Sequence, residues 1–81
     1  MATEKIELET VHIPLLNEGT SVARPASALR VGELTYVVLL TPGYDPTDEE
    51  WEFPPGSIVR CRKEVWSGGE ILVAREKYEQ R

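Results

Sequence analysis

A chain of 81 residues makes one small domain, residues 1–81, whose folding buries only about 60% of the surface the unfolded chain exposes. No apolar run approaches the ~20 residues of a membrane span, and the acidic start Met1-Ala2-Thr3-Glu4 does not read as a signal peptide, so a soluble cytoplasmic protein is expected. The net charge of −5 disfavours duplex nucleic acid as a bulk partner, and the single cysteine, Cys61, excludes an intrachain disulfide and a cysteine-based zinc site.

Residues 5–13 alternate charged and apolar side chains and predict a strand, with Ile6 and Leu8 on one face. The apolar parity then switches to Val11 and Ile13, which predicts a bulge near Thr10. Asn17-Glu18-Gly19-Thr20 has turn chemistry. Residues 21–29 carry Val22, Ala26 and Ala28 on one face but hold Pro25, which donates no ladder hydrogen bond and belongs at a sheet edge or kink. Arg30-Val31-Gly32-Glu33 predicts a tight turn. Residues 34–40 (LTYVVLL) are apolar on both faces, the pattern of a central strand buried on both sides.

Residues 41–56 gather Pro42-Gly43, Pro46, Pro54-Pro55-Gly56 and five carboxylates, so residues 45–56 alone carry a charge of −5. A long loop inside a compact domain is usually functional or anchored by its own side chains. Tyr44, Trp51 and Phe53 are the candidate anchors, and residues 47–51 (TDEEW) could wind one helical turn with Thr47 as N-cap and Glu50 as its capping-box partner. Residues 57–66 and 71–78 then form a hairpin. With Gly68-Gly69 as its two loop residues, Trp66 faces Ile71, Glu64 faces Val73, Arg62 faces Arg75 and Arg60 faces Lys77. Five strands with short turns predict an all-β fold: a small antiparallel five-stranded barrel, SH3-like first and OB-like second, with one long acidic Pro-rich loop.

Two sequence blocks bear on kinship, Glu18-Gly19-Thr20-Ser21-Val22-Ala23-Arg24-Pro25 and residues 51–61 (WEFPPGSIVRC). In both, the chain resembles a group of small bacterial proteins of unassigned function, the likeness running from about Val11 to Ala74. The resemblance implies a natural small β domain and brings no activity, cofactor or catalytic residue with it.

Catalysis needs a base set against a nucleophile, and the only pair available is His12 with Cys61. Cys61 reads as a small core residue and His12 as a solvent-facing strand residue, so a non-enzymatic protein without cofactor is expected. The acidic run lacks the alternating pattern and central glycine of an EF-hand, so no metal site is assigned.

Two binding surfaces remain. The first is the acidic loop, with Tyr44, Asp45, Asp48, Glu49, Glu50 and Trp51 presented to another protein of basic character, in the manner of an inhibitor, immunity protein or antitoxin. The second is a basic hairpin face of Arg60, Arg62, Trp66, Arg75 and Lys77, a combination of cations and an aromatic platform suited to single-stranded nucleic acid. Since Arg62 opposite Arg75 is unfavourable, the acidic loop is expected to fold over this face and neutralise it, leaving Trp51 or Tyr44 exposed as a hook.

Overall fold

The computed structural model describes residues 8–18 and 22–78. Five strands follow one another: β1 (Leu8–Pro14), β2 (Ala23–Gly32), β3 (Thr35–Val38), β4 (Ile58–Trp66) and β5 (Gly69–Lys77). They form a closed barrel in the order β1-β2-β3-β4-β5, with no helix among the described residues. Each successive pair is antiparallel, so with five strands the first and last must run the same way. β1 indeed meets β5 in parallel, at His12 and Val73. The small all-β barrel read from the sequence is the fold.

Inward-facing side chains close-pack the interior: Val11 and Ile13 from β1, Ala26 and Ala28 from β2, Tyr36 and Val38 from β3, Val59 and Cys61 from β4, and Ala74 from β5. Trp51 and Phe53 from the long loop complete this cluster, each 6% exposed.

Several local expectations are corrected. β1 pairs with β2 without interruption from Leu8–Leu29 to Pro14–Ala23, so there is no bulge at Thr10. The parity switch has a different cause, for Leu8 stays on the outer face and is 61% exposed. The turn expected at residues 30–33 is displaced, because β2 continues to Gly32 and the reversal falls on Glu33 and Leu34, with Leu34 at φ 53°. In β3, Tyr36 and Val38 are buried on the inner face, while on the outer face Thr35 is buried and Val37 only half-buried; Leu40, beyond the strand, is exposed. Pro25 lies where expected, on the part of β2 that pairs with β1 before β3 joins at Ala28. Expectations for residues 5–7, 19–21 and 79–81 fall outside the described residues.

The hairpin reverses at Ser67-Gly68, both at positive φ, and not at Gly68-Gly69. Trp66 therefore faces Gly69, and from Trp66 back to Cys61 the register is shifted by two residues: Glu64 faces Ile71, Arg62 faces Val73 and Lys63 faces Leu72. A shift by two keeps every side chain on its face. Cys61 keeps this register opposite Ala74, and an irregularity between Arg60 and Cys61 then sets Arg60 opposite Glu76 and Val59 opposite Lys77, so Arg75 has no directly opposed partner.

Candidate functional site

The long loop returns to the barrel through main-chain bonds as well as aromatic plugs. Leu16 N donates to Glu50 O at 2.8 Å and Glu52 N to Pro14 O at 2.9 Å, so residues 50–52 lie beside the end of β1, bridged at Leu15 and Trp51. Tyr44 meets Trp51 edge to face, ring centroids 4.6 Å apart, which locks the start of the loop to its end. Gly56, at φ 96°, makes the corner into β4 and donates its N–H to Val38 O at 2.7 Å. Only glycine adopts such a φ without strain.

The acidic side chains hold this shape. Asp45, not Thr47, caps the single turn. Its carboxylate accepts from Thr47 N at 2.9 Å and Thr47 Oγ1 at 2.6 Å, and its carbonyl accepts from Asp48 N and Glu49 N. Those side-chain bonds pull the Asp45 pKa below the ordinary carboxylate range. Glu49 accepts from Arg24 Nε at 2.6 Å, with a second contact to the guanidinium, and lies 3.5 Å from Trp51 Nε1. The Arg24 hydrogen bond is the main cause of its lowered pKa. Glu50 accepts from Asn17 Nδ2 at 2.6 Å.

Of the six residues assigned to this surface, Asp45, Asp48 and Glu50 are exposed, Tyr44 and Glu49 are half-buried, and Trp51 is buried. Trp51 is thus an internal anchor and not the exposed hook. Glu52, outside the assigned set, is exposed and extends the same acidic surface. A cleft of about 350 Å³ runs beside the loop, between Arg24, Pro42, Tyr44, Asp48 and Trp51.

The basic hairpin face is rearranged more deeply. Glu64, from the hairpin itself, takes Arg75 in a bidentate pair, at 2.6 Å to Nε and 2.7 Å to Nη2, and also accepts from Trp66 Nε1 at 2.9 Å. Those two partners hold the Glu64 carboxyl down at about 2. Arg60 stands over the Tyr78 ring, 5.8 Å from its centroid. The register removes the expected clash of Arg62 with Arg75, and the irregularity moves Lys77 away from Arg60, to a place opposite the inward-facing Val59. Among the described residues the ion pair made by the acidic loop is with Arg24 on β2 and not with a hairpin cation. The Arg75 pKa is raised chiefly by its hydrogen bond to Glu64, and of the loop carboxylates the Glu52 charge adds to that rise.

His12 and Cys61 do not converge. Their cross-strand partners, Val73 and Ala74, are consecutive on β5 and therefore point to opposite faces of the wall. Cys61 is 1% exposed, and burial, with nearby Glu9 adding to it, pushes its thiol up to about 11. His12 is half-buried rather than solvent-facing, and its Nδ1 is buried without a hydrogen-bond partner. Among the described residues no three His, Cys, Asp or Glu side chains group as metal ligands.

At the other end of the barrel, the β2–β3 turn and the β4–β5 hairpin diverge around a cavity of about 380 Å³ lined by Glu9, Arg30, Leu34, Tyr36, Lys63 and Leu72. Glu9 shares the parity of Val11 and Ile13 and so points into this mouth. Burial, with the Glu9 charge adding to it, raises the Tyr36 pKa. In the sequence Glu9 is only one charge of an alternating strand, and nothing there marks it as inward-facing.

Comparison with protein-family models, with curated proteins and with solved structures finds no match for the chain.

Proposed function

We propose that the chain is a non-catalytic interaction domain that presents its acidic loop to a basic protein, as an inhibitor or an antitoxin-like binder would. The observation that supports this reading is the fixed shape of the loop. Trp51 and Phe53 are plugged into the core, Asp45 caps the turn and Glu49 is tied to Arg24, while Asp48, Glu50 and Glu52 remain on the surface. A loop already ordered in the free protein loses little conformational entropy on binding, so its carboxylates serve affinity and steering directly. The proposed contact set is therefore Asp45, Asp48, Glu50 and Glu52, with Tyr44 at the rim.

Single-stranded nucleic acid on the hairpin is the weaker reading, because Glu64 and Glu76 stand against Arg75 and Arg60. One experiment separates the two. The immobilised chain is offered a cell extract at about 0.1 M and about 1 M salt, where the screening length falls from about 10 Å to about 3 Å. The retained material is identified, and the capture is repeated with the Asp48→Asn, Glu50→Gln, Glu52→Gln triple variant. A basic protein retained at low salt, released at high salt and lost by the variant supports the proposal. Retention indifferent to salt and variant, or retention of oligonucleotide alone, overturns it.

A further inference from the structure

Toward the hairpin tip, the inner face of the barrel passes from core residues to charged ones. Each strand contributes a side chain to this level: Glu9 from β1, Arg30 from β2, Tyr36 from β3, Lys63 from β4 and Leu72 from β5. Their direction follows from the register. Glu9 pairs with Ala28, Arg30 with Tyr36 and Lys63 with Leu72, and those three partners belong to the core or pack on it. Directly paired residues share a face. Together they line the cavity of about 380 Å³ at this pole, a size within the roughly 300–1,000 Å³ of small-molecule pockets, for which the mouth of a β-barrel is a common place.

Charge is divided across the mouth. β1 and β5 run in parallel with His12 level with Val73, so Glu9 and Glu70, each three residues earlier, are level too. Two carboxylates therefore stand on adjacent strands at the β5–β1 seam, and Glu70 lines the same cavity. Arg30 and Lys63 belong to β2 and β4, the strands on either side of Tyr36. A further carboxylate, Glu33, is exposed at the rim on the β2–β3 turn. None of these charges is neutralised by a neighbour: among the described residues the ion pairs are Arg24 with Glu49 and Arg75 with Glu64. The fields of Glu9 and Arg30 both reach the phenol. Burial first, and then Glu9, raise the Tyr36 pKa, while Arg30 acts in the opposite sense.

We propose that this mouth binds a small zwitterion of the α-amino-acid class that carries an apolar side chain. Each part of such a molecule has its counterpart. Arg30 Nε donates to Gly32 O at 3.2 Å, which orients the guanidinium and leaves its two Nη groups, without a partner among the described residues, to take a carboxylate. Glu9 and Glu70 take the ammonium, and Leu34, Ile71 and Leu72 take the apolar side chain. Arg30 lies two residues beyond Ala28, the partner of Glu9, so the two stand diagonally across the strands, about 7–8 Å apart. Long side chains at that separation close on an ammonium and a carboxylate joined through one carbon. An ion of a single sign would leave either Glu9 and Glu70 or Arg30 and Lys63 without a counter-charge.

The wall beside the cavity is held in strain. Leu34 has φ 53°, a left-handed conformation unfavourable for a leucine. Cys61 N donates to Leu34 O at 2.7 Å and Thr35 Oγ1 to Glu33 O at 3.0 Å, which fix the turn. Strain of this kind concentrates at ligand clamps, and here it accompanies a leucine side chain on the cavity wall. The acidic loop lies at the other pole, so this site does not rest on the role given to that loop.

Amide-resolved NMR with L-leucine and, separately, L-phenylalanine as probes tests this. Saturable shifts at Glu9, Arg30, Tyr36, Lys63 and Leu72 are expected for at least one probe, with a dissociation constant below about 1 mM, while the acidic loop does not respond. Leucinamide, which lacks the carboxylate, and isocaproate, which lacks the ammonium, are each expected to bind at least about tenfold more weakly than leucine, because a site that pairs both groups rejects an analogue missing one. Glu9→Gln and Arg30→Met are expected to weaken amino-acid binding by about tenfold or more, each removing a charge-assisted hydrogen bond. Circular dichroism verifies their folding, and Lys63→Met, at an exposed position, is a further weakening variant that leaves the barrel intact. Absence of saturable shifts for both amino acids up to about 10 mM overturns the proposal. So does an analogue that binds as tightly as leucine, or binding indifferent to all three substitutions.

Discussion

Replacing Trp51 with alanine separates an anchor from a hook. The indole is 6% exposed, packs edge to face on Tyr44 and belongs to the core cluster with Phe53, so its removal leaves a cavity that the proline-stiffened loop cannot fill. Truncating a buried tryptophan costs about 3–5 kcal/mol, of which the aromatic pair accounts for about 0.5–1.5 kcal/mol. A domain of this length has a total stability of about 4–12 kcal/mol, so Trp51→Ala removes a large share of it. Urea unfolding followed by far-ultraviolet circular dichroism measures the loss. Trp66→Ala is the control, for Trp66 is half-buried on the outer hairpin face and its loss is expected to cost about 1 kcal/mol. A Trp51→Ala loss below about 1 kcal/mol, with an unchanged denaturant slope, would refute the anchoring role and return Trp51 to the candidate contacts.

Glu64 gives a pH prediction of definite sign. Its folded pKa, about 2, lies below the ordinary glutamate value of 4.5, so its contribution to stability is complete above about 4.5 and is lost as pH falls toward about 2. Carboxyl NMR should place its midpoint near 2, and Arg75→Met should return it toward the ordinary carboxylate range. Cys61, buried and with its thiol pushed up to about 11, should resist alkylation at neutral pH in the folded chain and react readily once the chain is unfolded in urea. Ser67→Asn puts Asn-Gly at the two positive-φ loop positions of the β4–β5 hairpin and should raise the urea midpoint by the equivalent of about 0.5 kcal/mol; a lower midpoint would contradict the turn geometry.

The strands are legible wherever the apolar pattern is set by the barrel interior: Val11 and Ile13, Ala26 and Ala28, Val59 and Cys61. Pro25 announces the stretch of β2 that β3 does not reach, and the aromatic residues of the loop announce its anchoring. What misleads is apolar residues that do not serve the interior. Leu8 looks like a core residue out of phase and suggests a bulge, because a period of two does not say which face is inside. The second apolar face of β3 looks buried for the same reason. Register is the other gap. Ser67-Gly68 and Gly68-Gly69 are both plausible two-residue turns, and the choice moves every cross-strand pair. The irregularity beside Arg60 has no sequence signature, yet it moves Lys77 away and brings Glu76 opposite Arg60. Within the acidic loop the sequence points to the right segment but does not separate Glu49, tied to Arg24, from Asp48, which faces solvent.

The odd number of strands fixes where anything attached to the barrel must lie. Because β1 and β5 run the same way, the chain enters the barrel at Leu8 beside the hairpin tip and leaves it at Tyr78 beside the acidic loop. A tag or neighbouring domain joined upstream of Leu8 would hang from the pole remote from the carboxylates, while one joined downstream of Tyr78 would crowd them. Strung in tandem, copies of this barrel would align head to tail, each presenting its carboxylates toward the entry pole of the next.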